Sequence, residues 1–409
     1  MRINNAGHYE YCRWISKTDR TQTPHISAVT PQQYFQQHMQ PLRQQLLAGN
    51  RLPECEPCWV MEQHHKISGR QKQLLKIGVR LEQFEKTLAS SPWVPIFSKD
   101  QFDQLPQDWQ IDLGNYCNSG CIFCSPHSSS KLATEYQQLG LIDKLPTTNW
   151  TDQPELVEKF VHALEQSGHI QYLHFIGGET VITPAFATIL KALIKAGLNR
   201  TATIGFTTNL TVWDQDIIDM LCEFKGVNLG VSIETFDPVN DYVRWPSRIA
   251  TVNTVLEQWF ELSQQQHWLM QLRTTPTLFT INSLLTVYDW AWDRGVCVES
   301  CNFLHNPEFM RPSVLPPSMR QRVIDDMQNW LDKHSVAGDT VVNIRNPNTS
   351  QLQNYQDLKS YVDYLVTQPD ESFRLPELIK FVKRLESSRG NSILTYLPHY
   401  EEIFRSAGY

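Results

Sequence analysis

From residue 107 to about residue 305, short apolar runs alternate with amphipathic stretches. The runs at Ile111–Gly114, Tyr172–Ile176, Thr201–Thr207, Val227–Ile233, Leu269–Arg273 and Val296–Phe303 read as strands. Between them, Pro154–Glu165, Pro184–Lys195, Asp214–Phe224, Ile249–Leu262 and Ser283–Trp292 read as helices. Pro154 and Pro184 suit first-turn positions, where a missing N–H is harmless, and Gly168 and Gly197 suit helix stops. Strand and helix alternating in this way predict an α/β domain of parallel βαβ units. A doubly wound sheet, a full barrel and a partial barrel all satisfy that description, and periodicity does not choose among them.

The flanks differ in texture. Residues 1–100 are glutamine-rich, and Tyr34, Met39, Leu42 and Leu46 recur at helical spacing within Pro31–Leu47. After the proline-rich Arg311–Pro317, residues 314–409 predict helices over Pro317–Lys333, Gln351–Thr367 and Pro376–Ser387. Three regions follow: 1–100, 107–313 and 314–409.

Composition narrows the class. The 409 residues are 41% hydrophobic and 19% charged, which is ordinary for a globular protein. A net charge of −7 and a pI near 6.0 supply no basic field for collecting phosphates, so no nucleic-acid partner is expected. There is no apolar run long enough to span a bilayer. Met1–Trp14 lacks the apolar stretch of a secretory signal, and the C-terminus matches no lipidation motif. A soluble cytoplasmic protein is the expectation. In that setting nine cysteines point to metal or catalysis before disulfides. Six of them fall into two compact groups.

The sharper group is Cys117-Asn118-Ser119-Gly120-Cys121-Ile122-Phe123-Cys124, directly after the first strand run. Three thiolates spaced C-x3-C-x2-C can wrap one corner of an iron–sulfur cube and leave its fourth iron without a protein ligand. An open iron suits a cluster that binds a substrate or cofactor as well as carrying electrons. Gly120 permits the tight loop, and Phe123 is placed to shield the cluster from water. A zinc site and three unrelated core cysteines are the alternatives.

This motif, with an aromatic residue before the third cysteine, resembles the signature of the radical S-adenosylmethionine (SAM) superfamily. The resemblance implies a [4Fe–4S] cluster on Cys117, Cys121 and Cys124, with SAM chelated at the open iron. It implies reductive cleavage of SAM to a 5′-deoxyadenosyl radical, which abstracts a hydrogen atom from the substrate. It also implies a partial (β/α)6 barrel of the TIM type over roughly residues 107–305, and a reducing partner such as flavodoxin or ferredoxin.

Later motifs follow in the family's order. Gly177-Gly178-Glu179 resembles the GGE motif, whose backbone receives the amino group of SAM. Asn209 ends the third strand run. Ser232 and Glu234 end the fourth, where relatives place polar residues near the SAM ribose. Arg244 resembles the arginine that pairs the SAM carboxylate; a surface ion pair is its plainer reading. His127, in Ser125–Ser130, reads as a loop histidine.

The second group is Cys12 with Cys55 and Cys58, the last two forming a C-x2-C knuckle ahead of Glu62, Ser68, Gly69 and Arg70. It resembles the twitch and SPASM extensions that hold auxiliary iron–sulfur clusters. Such sites usually use four cysteines, and here the fourth ligand is unassigned. Cys301, Cys297, His8 and His64 are candidates, and a Cys3His zinc site fits the same spacing. Cys301 also suits a hydrogen donor that quenches a substrate radical, whereas Cys297 and Cys222 read as core residues. Auxiliary-cluster relatives commonly modify peptides or proteins, so a peptide or protein substrate is expected. A small molecule such as a sugar, nucleotide or amino-acid derivative is the alternative, and a non-catalytic iron–sulfur or zinc protein is a third reading.

Overall fold

The computed structural model describes residues 1–12, 23–47, 50–63, 68, 71, 105–146, 149–167, 170–300, 303–334 and 347–409. Gly69, Arg70, His64, Gly168 and Cys301, all named above, lie outside the described residues.

The first elements are two short strands, β1 (Arg2–Ile3) and β2 (Tyr9–Glu10). Next come α1 (Pro31–Tyr34), a π-helical turn over Phe35–Met39, α2 (Gln40–Leu47) and α3 (Glu56–Gln63). Thr30 caps α1: its hydroxyl accepts from the Gln33 N–H, and the Gln33 side chain returns a bond to the Thr30 N–H.

The central region supplies β3 (Asp108–Asp112), β4 (Tyr172–Ile176), β5 (Thr203–Thr208), β6 (Gly226–Ser232), β7 (Leu269–Arg273) and β8 (Cys297–Glu299). Each pairs in parallel with the next. The connections carry α4 (Ser130–Gln138), α5 (Pro154–Ser167), α6 (Pro184–Lys195), α7 (Gln215–Cys222), α8 (Val239–Val243), α9 (Ile249–Gln265) and α10 (Leu285–Arg294). The alternating pattern therefore folds as α/β with a parallel sheet.

The full sheet has the order β2-β1-β3-β4-β5-β6-β7-β8. β1 runs parallel to β3 and antiparallel to β2, so residues 2–10 share a sheet with the central region. A boundary drawn at residue 100 separates strands that are hydrogen-bonded to each other.

Within the strands, side chains alternate. Leu173 and Phe175, Ile204 and Phe206, Val227, Leu229 and Val231, and Met270 and Leu272 are buried in one continuous core. The intervening positions, including Asp112, His174, Thr207, Ser232, Arg273 and Glu299, are polar and only half-buried or partly exposed. One sheet face packs on apolar helices, and the other carries chemistry-bearing groups.

The C-terminal region is helical: α11 (Pro317–Lys333), α12 (Pro347–Thr367), α13 (Leu375–Arg389), α14 (Ile393–Tyr396) and α15 (Glu401–Ser406). α12 lies along β8. Asn354 Oδ1 accepts from Val298 N at 2.7 Å, and Asn354 Nδ2 donates to Val296 O at 2.9 Å. Asp357 accepts from Ser300 N at 3.0 Å. These side chains take the place of a ladder partner, and β8 is shorter than the Val296–Phe303 run suggests. Among the described residues, no helix is long and apolar enough to cross a membrane.

Candidate active site

The cysteine loop leaves β3 and is held before it reaches α4. Cys117 N donates to Ser130 Oγ at 3.1 Å, and Ser129 Oγ donates to Ser119 O at 2.6 Å. On the other side, Gly120 N donates to Trp245 O at 2.7 Å and Ile122 N to Val243 O at 2.9 Å. The loop is thus joined to the segment that carries Arg244.

Gly177 and Gly178 follow β4 and lie under the same loop. Gly177 has φ +144°, and a Cβ there would meet Gly114 O at 2.5 Å; one on Gly178 would meet Tyr116 O at 2.3 Å. Glycine is required at both positions because backbone passes over backbone. Glu179 N donates to Tyr116 O at 2.8 Å, and its buried carboxylate accepts from Asn209 N at 2.6 Å and Val181 N at 3.3 Å. Asn209 Nδ2 in turn donates to Asn118 Oδ1 at 2.8 Å and Ser119 Oγ at 3.0 Å. Asn209 therefore connects the glycine turn to the cysteine loop.

Arg244 is buried, and its Nη1 lies 2.7 Å from Glu234 Oε1. The second Glu234 oxygen accepts from Thr275 N at 2.6 Å. The surface ion pair is thereby ruled out in favour of a buried one. The Arg244 guanidinium also sits 6.0 Å above the Phe123 ring, so Phe123 forms a platform for a cation.

These groups enclose one cavity of about 480 Å3 at the C-terminal ends of the strands. Cys117, Cys121, Cys124, Phe123, Gly177, Gly178, Glu179, Asn209, Ser232, Glu234 and Arg244 all line it. Ser119, Thr207, Thr208, Arg273 and Thr275 line it too and were not singled out from the sequence. Their signal was position alone, since each follows or ends a strand or sits within the cysteine motif. His127 is exposed and does not line the cavity.

Burial shapes the electrostatics. It pushes the Cys117 thiol up to about 11 and the Cys124 thiol up to about 12, and raises Cys121. It raises the Glu179 carboxyl to about 7, against the pull of its hydrogen bonds from Asn209, Thr208 and Val181. For Arg244, burial acts to lower the pKa, but Cys121 and Glu234 outweigh it and hold the guanidinium charged.

Among the described residues, no three His, Cys, Asp or Glu side chains gather as a single metal ion requires. Cysteines that each ligate a different iron of a cube stand farther apart than ligands of one tetrahedral ion. Three thiols on one loop line a shared cavity, a donor set that suits three irons of a cube with the fourth left open.

The N-terminal cysteines are arranged differently. Cys55 closes a 3-10 turn over Pro53–Cys55, and Cys58 is buried on α3. Burial, with Glu54, Cys55 and Cys12 adding to it, pushes the Tyr11 phenol up to about 12. Ser68 Oγ donates to Glu62 Oε1 at 2.5 Å beside them in sequence. Of the fourth-ligand candidates, His8 Nδ1 is 2.6 Å from Thr23 O and Cys297 Sγ is 3.4 Å from Gln353 Oε1. Cys222 is half-buried on α7.

Residues 111–263, spanning the cysteine loop and most of the cavity, match the model of the Radical SAM superfamily. Those residues form a radical SAM domain. Such a domain implies a [4Fe–4S] cluster and SAM, and leaves the reaction open.

No curated protein matches the sequence. Among solved structures it is similar to Streptococcus suis SuiB bound to S-adenosylmethionine (12% identity, 65% of this chain, 60% of that one, TM-score 0.35). It is also similar to SuiB bound to the precursor peptide SuiA (11%, 65%, 59%, 0.37) and to native anSMEcpe with bound AdoMet (16%, 56%, 61%, 0.39). The chain thus spans about 60% of the length of those chains.

Proposed function

We propose that Cys117, Cys121 and Cys124 hold a [4Fe–4S] cluster and that Gly177–Glu179, Asn209, Ser232, Glu234 and Arg244 hold SAM beside it. The resulting 5′-deoxyadenosyl radical abstracts a hydrogen atom from a peptide or protein substrate. The observation that carries this reading is the convergence of all these residues on one cavity.

When bound, the cluster supplies the electron that cleaves SAM. The chain supplies placement. Glu234 fixes one nitrogen of Arg244 and leaves its other N–H groups to meet a carboxylate. Gly177 and Gly178 bring bare backbone to the cavity wall, where an ammonium group meets carbonyl oxygen. Asn209 keeps that turn in register with the cysteine loop. On this reading the six strands β3–β8 form a partial (β/α)6 barrel with SAM at its mouth. Residues 314–409 form a helical cap, and flavodoxin or ferredoxin is the class of reductant.

Cys12, Cys55 and Cys58 serve as ligands of an auxiliary cluster in a twitch-like segment. Such a cluster accepts the surplus electron left after hydrogen abstraction, which suits net oxidation of a side chain. A peptide long enough to reach from the cavity to that segment is the substrate class that uses both sites.

The test is anaerobic reconstitution with iron and sulfide, followed by dithionite and SAM. Wild type should hold about eight irons and the Cys117/Cys121/Cys124→Ala variant about four. Only wild type should release 5′-deoxyadenosine. Iron absent from both proteins would overturn the assignment, and about four irons falling to none would remove the auxiliary cluster.

A further inference from the structure

The cysteine loop is gripped from outside the cavity by the C-terminal region. Arg389, the last residue of α13, reaches back across 254 positions to Glu135 on α4, Nε to Oε1 at 2.8 Å and Nη2 to Oε2 at 2.6 Å. The same Nη2 donates to Gly120 O at 2.7 Å. Its guanidinium lies 4.8 Å over the ring of Trp245. Both ion-pair side chains are almost fully buried, 1% and 6% exposed.

These contacts meet at one peptide. Gly120 stands between two of the three cavity cysteines; its N–H is taken by Trp245 O and its carbonyl by Arg389. Trp245 follows Arg244 directly. A Cβ on Gly120 would approach Arg389 Nη2 at 3.2 Å, Trp245 Cε3 at 3.4 Å and Glu135 Oε2 at 3.5 Å, so the loop is seated against this network. One guanidinium joins the cysteine loop, the Arg244 turn and α4.

We infer that Arg389 is a positioning residue for the cluster loop. The inference rests on Cys117, Cys121 and Cys124 binding that cluster, as proposed above. A buried ion pair is a poor device for adding stability alone, because desolvation offsets its attraction. Its bidentate geometry is what fixes a loop in one place.

The experiment follows the reduced-cluster EPR signal that changes on adding SAM, which singles out the cavity cluster. Wild type is compared with Arg389→Lys and with Glu135→Leu/Arg389→Met, a double change that leaves no orphan buried charge. Loss of this signal to an iron chelator should become roughly 10- to 100-fold faster in the double variant, as for other residues that orient metal ligands. Arg389→Lys, which keeps the charge but not the bidentate fork, should retain the cluster to an intermediate degree. Apoprotein melting should change little. Cluster retention equal to wild type would overturn the inference while leaving the cluster assignment intact. So would losses that track a fall in melting temperature in every variant without rescue by lysine. A wild type with no SAM-responsive signal would instead overturn the cluster assignment, and this inference with it.

Discussion

The chain carries two groups of three cysteines, and the two are carried on the chain in different ways. Cys117, Cys121 and Cys124 sit on a loop tied to α4, to the Arg244 turn, to Asn209 and to Arg389, with each tie a named hydrogen bond. Cys12 lies two residues past β2, Cys55 closes a 3-10 turn and Cys58 is buried on α3. The first group is contiguous, whereas Cys12 precedes Cys55 by 43 positions. The ties that hold the first group are drawn from four separate parts of the chain.

The largest expected effect separates the groups outright. Replacing Cys117, Cys121 and Cys124 by alanine should abolish 5′-deoxyadenosine formation, whereas replacing Cys12, Cys55 and Cys58 should leave SAM cleavage within about tenfold of wild type and block substrate turnover. Chromatography of 5′-deoxyadenosine and of modified substrate measures both. Equal loss of SAM cleavage in the two variants would erase the distinction.

Next in size is Arg244→Met, which leaves Glu234 as an unpaired buried carboxylate and should cost about 3–5 kcal/mol of stability in urea unfolding of the apoprotein. Arg244→Met with Glu234→Leu should recover most of that stability without recovering SAM binding. Calorimetric titration with SAM checks the second half.

A pH effect of intermediate size belongs to Glu179. Its carboxyl is raised from the usual 4.5 to about 7 by burial. Between those values the folded state holds a proton that the unfolded state has released, so stability falls as pH rises through this window and levels off above it. The fall attributable to this group is about 3 kcal/mol. Glu179→Gln should flatten that part of the profile, read as the difference between wild-type and variant unfolding free energies at pH 5 and pH 8. A difference that does not vary with pH would show that Glu179 titrates normally.

The smallest effect sharpens the other side of the comparison. Trp59→Phe removes the bond from Trp59 Nε1 to Leu52 O next to the N-terminal cysteines, and should cost about 1 kcal/mol. It should not change the rate of SAM cleavage. A change in that rate would mean that the two cysteine groups are mechanically coupled.

The central strands and helices were legible because the pattern switches cleanly between two-residue and 3.6-residue periods. β1 and β2 were not, since strands of two residues have no period to read. Gly197 follows the end of α6 as expected, while β8 covers only Cys297–Glu299 among the described residues of its run. In the site, spacing betrayed the cysteines and Gly177–Glu179, because those contacts are local. Arg273, Thr275 and Arg389 stayed hidden because their partners lie across strands or across the chain. Nothing near Arg389 in sequence says that it will meet Gly120.

The sealing of β8 has a consequence beyond the ladder itself. An exposed strand edge is a template on which another chain can polymerise, and proteins blunt such edges to remain soluble. Here Asn354 and Asp357 occupy Val298 N, Val296 O and Ser300 N with side chains from a helix. A neighbouring copy cannot add its own strand at this edge without first displacing α12. The helix therefore guards this edge against the addition of another strand.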